Sequence, residues 1–111
     1  MKKYLVLYMA PTESFEKALK ADPDEMKKGM EEWNVWMEKN KVAIVDIGAP
    51  VGKTKKVDPS GASDMRNNVG GFSIVQAESL EEAAKLFENH GHFQMGGGWV
   101  EVMEFVDMLG M

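Results

Sequence analysis

Tyr4-Leu5-Val6-Leu7-Tyr8-Met9 is apolar at every position. Successive side chains of a strand point to opposite faces, so an uninterrupted apolar run predicts burial on both faces and a central place in a sheet. Ala10-Pro11 ends the run. It falls far short of the roughly 20 apolar residues of a membrane span. With Lys2 and Lys3 ahead of it and charged sequence after Pro11, it reads as a first strand rather than a targeting segment.

Further along the chain the apolar period changes. Thr12 to Lys20 reads as a short helix with Phe15, Ala18 and Leu19 on one side. Asp22-Pro23-Asp24-Glu25 is a helix start, with Asp22 as cap and Pro23 in the first turn. Met26, Met30, Trp33 and Met37 then recur at helical spacing to form an apolar stripe that Trp36 widens, ending near Asn40. Val42 to Ile47 reads as a second strand, followed by the turn residues Gly48-Ala49-Pro50-Val51-Gly52. Lys53 to Val57 is a short third strand leading to a turn at Asp58-Pro59-Ser60-Gly61, and the polar stretch Ala62 to Asn68 reads as a loop.

Val69 to Ala77 is the next strand. Ser79-Leu80-Glu81-Glu82 is a capping box, and Leu80, Ala83, Ala84 and Phe87 form the apolar side of a helix that should stop between Asn89 and Gly91. Trp99 to Val106 is the last strand. The succession is a twice-repeated β-α-β pattern with an extra hairpin, which predicts one α+β domain over 1-111 with an antiparallel sheet of ferredoxin-like topology. Helices can cover one sheet face only. The doubly apolar first strand requires a cover for the other, and a second copy of the same sheet supplies it, so a homodimer is expected.

Composition narrows the function. The chain has 111 residues, no cysteine and a formal net charge of −5. Disulfides and thiolate chemistry are therefore absent, and a reducing cytoplasm is the expected location. The acidic balance argues against a nucleic-acid backbone as partner. The one basic cluster, Lys53, Lys55 and Lys56, reads as charge that keeps a sheet edge from pairing with other chains. Gly48 to Thr54 resembles a phosphate loop, but only three residues separate Gly48 and Gly52, and strand rather than helix follows. No nucleotide site or other cofactor is expected. Gly96-Gly97-Gly98 reads as a flexible loop.

The only histidines, His90 and His92, stand together at the end of the second capped helix. Imidazole is the side chain that moves protons near neutral pH. Asp46, at the end of the second strand, is the candidate carboxylate that would hold one of them in a single tautomer. His-x-His alone is a weak metal pattern, for which Asp46, Glu101 or Glu104 would have to supply a third ligand; no metal is expected. Trp33, Trp36, Phe72 and Ser73 are the candidate ligand contacts of a cleft between helices and sheet. Ser73 has no elbow motif around it and is not read as a nucleophile.

Tyr8-Met9-Ala10-Pro11, the Trp33 and Trp36 helix, Asp46 to Gly52, Gly70-Gly71-Phe72-Ser73-Ile74-Val75-Gln76-Ala77-Glu78-Ser79, His90-Gly91-His92-Phe93 and Glu101-Val102 together resemble the YCII-related proteins. The resemblance runs over nearly the whole chain and implies a dimeric α/β barrel of ferredoxin-like subunits. It also implies an enzymatic role for a histidine and an aspartate, which here are His90 or His92 with Asp46. Gly91 departs from the proline that related sequences often carry between the two histidines. Two functions follow: a small-molecule enzyme with a His/Asp proton-transfer pair, acting on an apolar or aromatic ligand, or a non-catalytic ligand-binding or sensor module. A domain that only pairs with itself or with another chain is the third reading.

Overall fold

The apolar run becomes strand β1 (Lys2–Met9), whose two neighbours in the sheet are β5 (Val69–Ala77) and β6 (Trp99–Glu104). The structure is a computed structural model describing residues 1–94 and 97–106, apart from the side chains of residues 18, 19, 91 and 94. Strand β2 (Ile44–Pro50) pairs with the far side of β5, and all three pairings are antiparallel, giving the order β2-β5-β1-β6. The first strand is therefore interior, as its sequence predicts. The molecule is α+β, with three α-helices among the described residues: α1 (Thr12–Leu19), α2 (Pro23–Asn40) and α3 (Leu80–Lys85). Ala18 and Leu19, expected on the apolar side of α1, lie outside the described side chains. So does Gly96 of the expected glycine loop.

Alternation along β1 and β5 divides the sheet. Tyr4, Val6, Tyr8, Ser73 and Val75 share one face and are buried in the core with Trp36, Ala83 and Phe87. Leu5 and Leu7 lie opposite Ile74 and Phe72 on the other face, where all four are half-buried.

Both caps form as the sequence predicts: Asp22 accepts from Glu25 N–H at 2.9 Å and Ser79 from Glu82 N–H at 3.1 Å. The stripe of α2 is shorter than expected. Trp36 is buried and Trp33 and Met37 pack on the core, but Met26 and Met30 are 47% and 67% exposed. Only the C-terminal half of this 18-residue helix, which is about 27 Å long, lies on the sheet.

Two further expectations need correction. The stretch read as a loop from Ala62 contains a strand, β4 (Gly61–Met65), which forms a hairpin with β3 (Thr54–Asp58). All of β4 is exposed, so it lacks the apolar alternation by which a half-buried strand is recognised. Its antiparallel backbone ladder to β3 holds it instead, with polar contacts across the strands and in the turn. Lys55 pairs with Asp64, and Asp58 accepts from the backbone N–H and hydroxyl of Ser60, bonds that hold its carboxyl below the usual carboxylate range.

The second capped helix ends at Lys85 rather than near Asn89. The chain then continues in turns of three-residue spacing, with Phe87 N–H bonded to Ala84, His90 N–H to Phe87 and Phe93 N–H to His90. That tighter winding carries Phe87 and His90 onto one side, facing the core. Leu80 and Ala84, expected on the buried side, are exposed.

Candidate functional site

The end of β1 is where separate parts of the chain converge. Tyr8 points to the helix side, and Trp33 and Trp36, three residues apart on α2, present their rings to the same place. Trp36 donates through Nε1 to the Leu86 carbonyl at 2.6 Å, tying α2 to the turns that follow α3. Into this nest the tightened turns carry His90. Its ring stacks on Tyr8 at 5.1 Å between centroids and meets Trp33 and Trp36 edge-on at 4.3 and 4.6 Å.

His90 is 2% exposed. Burial, with a smaller push from the charge of neighbouring His92, lowers its pKa from 6.5 to about 4, so the ring is neutral near pH 7. Its tautomer follows from the backbone. His92 N–H donates to His90 Nδ1 at 2.9 Å, which makes Nδ1 the acceptor and places the proton on Nε2. That Nε2–H is buried and has no partner among the described residues.

His92 has a different task. Its Nε2 lies 2.7 Å from the Met9 carbonyl, which can only accept, so Nε2–H donates. The side chain thereby pins the turn to the end of β1, while its backbone orients His90.

Tyr8 and Ser73 form a second polar unit in the covered face. Ser73 Oγ donates to the Ile47 carbonyl at 2.7 Å, which uses its one proton, so Tyr8 Oη donates to Ser73 Oγ at 2.9 Å. Burial pushes the Tyr8 hydroxyl up to about 12, against a smaller opposing effect of this hydrogen bond.

Of the residues singled out from sequence, the structure brings together His90, His92, Trp33 and Trp36. It does not bring Asp46 to them. The Asp46 carboxylate turns back along its own strand and accepts from Gly48 N–H at 2.8 Å, and no hydrogen bond or ion pair joins it to either histidine among the described residues. The reason is local. Gly48 has φ +73°, and a Cβ there would come within 1.8 Å of the Phe72 carbonyl oxygen; Asp46 braces this irregular part of β2. Phe72 lies on the opposite sheet face from His90, and Ser73 is a fully buried core hydroxyl.

Sequence reading missed Tyr8, Phe87 as a wall of the histidine nest, and Glu32. The three-residue spacing of Phe87 and His90 is visible once the helix is known to tighten. Glu32 has no such signal. It lines, with Trp36, Leu86 and His90, a groove of about 620 Å³ between α2 and the turns after α3. Its Oε2 is buried and unpartnered. Among the described residues no group of three His, Cys, Asp or Glu side chains gathers as a metal site. Nor is any described helix long and apolar enough to cross a membrane.

No protein-family model matches the chain, and no curated protein matches it in sequence. Among solved structures it is similar to 5-chloro-2-hydroxyhydroquinone dehydrochlorinase from Burkholderia phenoliruptrix, in a complex with 2,5-dihydroxybenzoquinone. The TM-score is 0.58 at 19% identity, over 94% of this chain and 93% of that one. At that identity the likeness carries the fold and not the activity: the two chains share an α+β architecture.

Proposed function

We propose that this chain is a YCII-related protein that binds a small, partly aromatic molecule in the groove beside His90, and that it acts on that molecule as an enzyme. The observation that carries this reading is the buried His90 Nε2–H without a partner. Leaving such a donor unpaired costs about 1–3 kcal/mol, and a ligand acceptor removes that cost. Neutral and held in one tautomer, His90 serves as a hydrogen-bond donor to a ligand oxygen, and His92 acts as its positioning residue. Trp36 supplies a flat apolar wall, with Trp33 bracing the ring from behind. Asp46 has no direct part. The structural neighbour supports the ligand class, since the substrate in its name and the compound bound to it are both flat rings bearing oxygen.

The strand order β2-β5-β1-β6 supports reading the fold as a ferredoxin-like repeat, and the half-buried apolar face of Leu5, Leu7, Phe72 and Ile74 suits pairing with a second copy. Together they support a homodimer built as an α/β barrel. Sedimentation equilibrium at micromolar concentration tests it, and a monomer there would remove the dimer from this reading.

One observation favours a non-catalytic binding module. Both His90 ring nitrogens are committed, Nδ1 to a backbone N–H and Nε2 to its proton, so the ring donates a hydrogen bond without having to transfer anything. Incubation of the protein with a panel of hydroxylated aromatics, followed by chromatography, separates the two readings: binding without conversion selects the module. Replacing His90 by Phe keeps an aromatic ring in the nest and removes the donor. Calorimetry should then show 4-nitrophenol binding weakened about tenfold, the worth of one hydrogen bond in a dry site. Unchanged affinity would end the role given to His90.

A further inference from the structure

Two buried side-chain atoms have no hydrogen-bond partner among the described residues: His90 Nε2 and Glu32 Oε2. They sit on different elements, one on the turns after α3 and one on α2, yet both side chains line the same groove. Their chemistry is complementary. Nε2 carries a proton, because Nδ1 accepts from His92 N–H, while a carboxylate oxygen accepts. No hydrogen bond or ion pair joins the two directly. Each is therefore left to a third group.

A single hydroxyl satisfies both, because its oxygen accepts while its proton is donated. Around the pair the groove offers Trp36 and Leu86 as apolar wall, and its three lysines are balanced by Glu32 and two further glutamates, so the lining is polar at its edge without a net charge. A flat apolar body with a polar edge fits this combination. Building on the reading of His90 as a ligand donor, we propose that Glu32 completes the site. Its carboxylate and His90 Nε2–H grip one hydroxyl of a hydroxylated aromatic ligand from its two sides.

Glu32 thus takes the place that the sequence pattern suggested for Asp46, and it selects phenols over their ethers or unsubstituted rings. Both atoms are shielded from solvent in the free protein. Binding therefore requires a small parting of the groove walls around them.

The test compares two probes that differ only at the hydroxyl, 4-nitrophenol and 4-nitroanisole, titrated calorimetrically into the full chain and its variants at about pH 5.5, where the phenol keeps its proton and His90 is still neutral. The wild type should prefer the phenol by about tenfold or more, as expected for one hydroxyl making two hydrogen bonds. Glu32→Leu should reduce that preference to about one while leaving 4-nitroanisole affinity within about twofold, which also reports an intact groove. Glu32→Gln keeps an acceptor and should restore part of the preference. If Glu32→Leu keeps the full preference while His90→Phe loses it, the role of Glu32 is overturned and that of His90 stands. If neither probe binds the wild type, or neither substitution changes the preference, both readings fall.

Discussion

The two faces of the sheet are built from alternate residues of the same strands and have opposite characters. On β1, Tyr4, Val6 and Tyr8 are 2%, 0% and 3% exposed, whereas Leu5, Leu7 and Met9 between them are half-buried. Under α2 and the turns after α3 the covered face has drawn polar groups inside: Tyr8 with Ser73, His92 on the Met9 carbonyl, and His90 with a free donor. The open face carries mainly Leu, Ile, Phe and Met, with Trp99, Glu101 and Met103 at its edge strand, where Glu101 stands opposite Leu7 and accepts from Trp99. Burying hydrogen-bonding groups requires surrounding elements that supply partners, and only the covered face has them. The open face keeps its one such pair, Trp99 with Glu101, at the exposed edge strand and is otherwise suited to an apolar partner.

The largest test of this contrast is a pair of phenylalanines. Phe87→Ala, in the covered core, should cost about 3–5 kcal/mol in urea unfolding. Phe72→Ala should cost the monomer less than half as much, and an equal loss would erase the distinction between the faces.

A charge probes the same contrast through assembly. On the proposed pairing of two open faces, Leu7→Asp should leave the far-UV circular dichroism of the monomer unchanged and weaken self-association at least a hundredfold by sedimentation, because a second carboxylate opposite Glu101 in such an interface costs several kcal/mol. Val6→Asp, one residue away on the covered face, should abolish folding.

On the covered face acid acts through His90. His90 has its pKa lowered from 6.5 to about 4, so the unfolded chain takes up this proton first as pH falls. The stability linked to it is complete above pH 6.5 and is lost progressively down through pH 4, at up to about 1.4 kcal/mol per pH unit. Urea midpoints measured between pH 7 and 4.5 should show this slope, and His90→Phe should remove it.

The smallest effects come from single hydrogen bonds. Tyr8→Phe removes the buried bond to Ser73 and should cost about 1 kcal/mol. Trp99→Phe, which loses an exposed bond to Glu101 on the open side, should stay within about 0.5 kcal/mol. Thermal melts of the two variants make the comparison.

Much of the fold was legible along the chain. The run Tyr4 to Met9 predicts an interior strand, Val69 to Ala77 is read with its observed bounds, and the Asp22 and Ser79 caps form as expected. Strand β4 escaped because an exposed strand has no face to mark with apolar residues. Met26 and Met30 misled because an apolar period says which way side chains point, not whether anything lies there. The site was half legible. The histidines and tryptophans are conspicuous by type, but Asp46 was singled out as a carboxylate of the right chemistry with no signal of where it points, and it turns to Gly48 two residues away.

The amino-acid sequence by itself determined the strands and helices that short-range patterns encode, because alternation, helical period and caps act over a few neighbouring residues. The tertiary structure decided which face of β1 is dry, which histidine is neutral with a spare donor, and that Glu32 shares its groove. Those properties depend on residues 8, 32, 36, 90 and 92 meeting in space. Burial, tautomer and unmet hydrogen bonds exist only once distant segments have packed together.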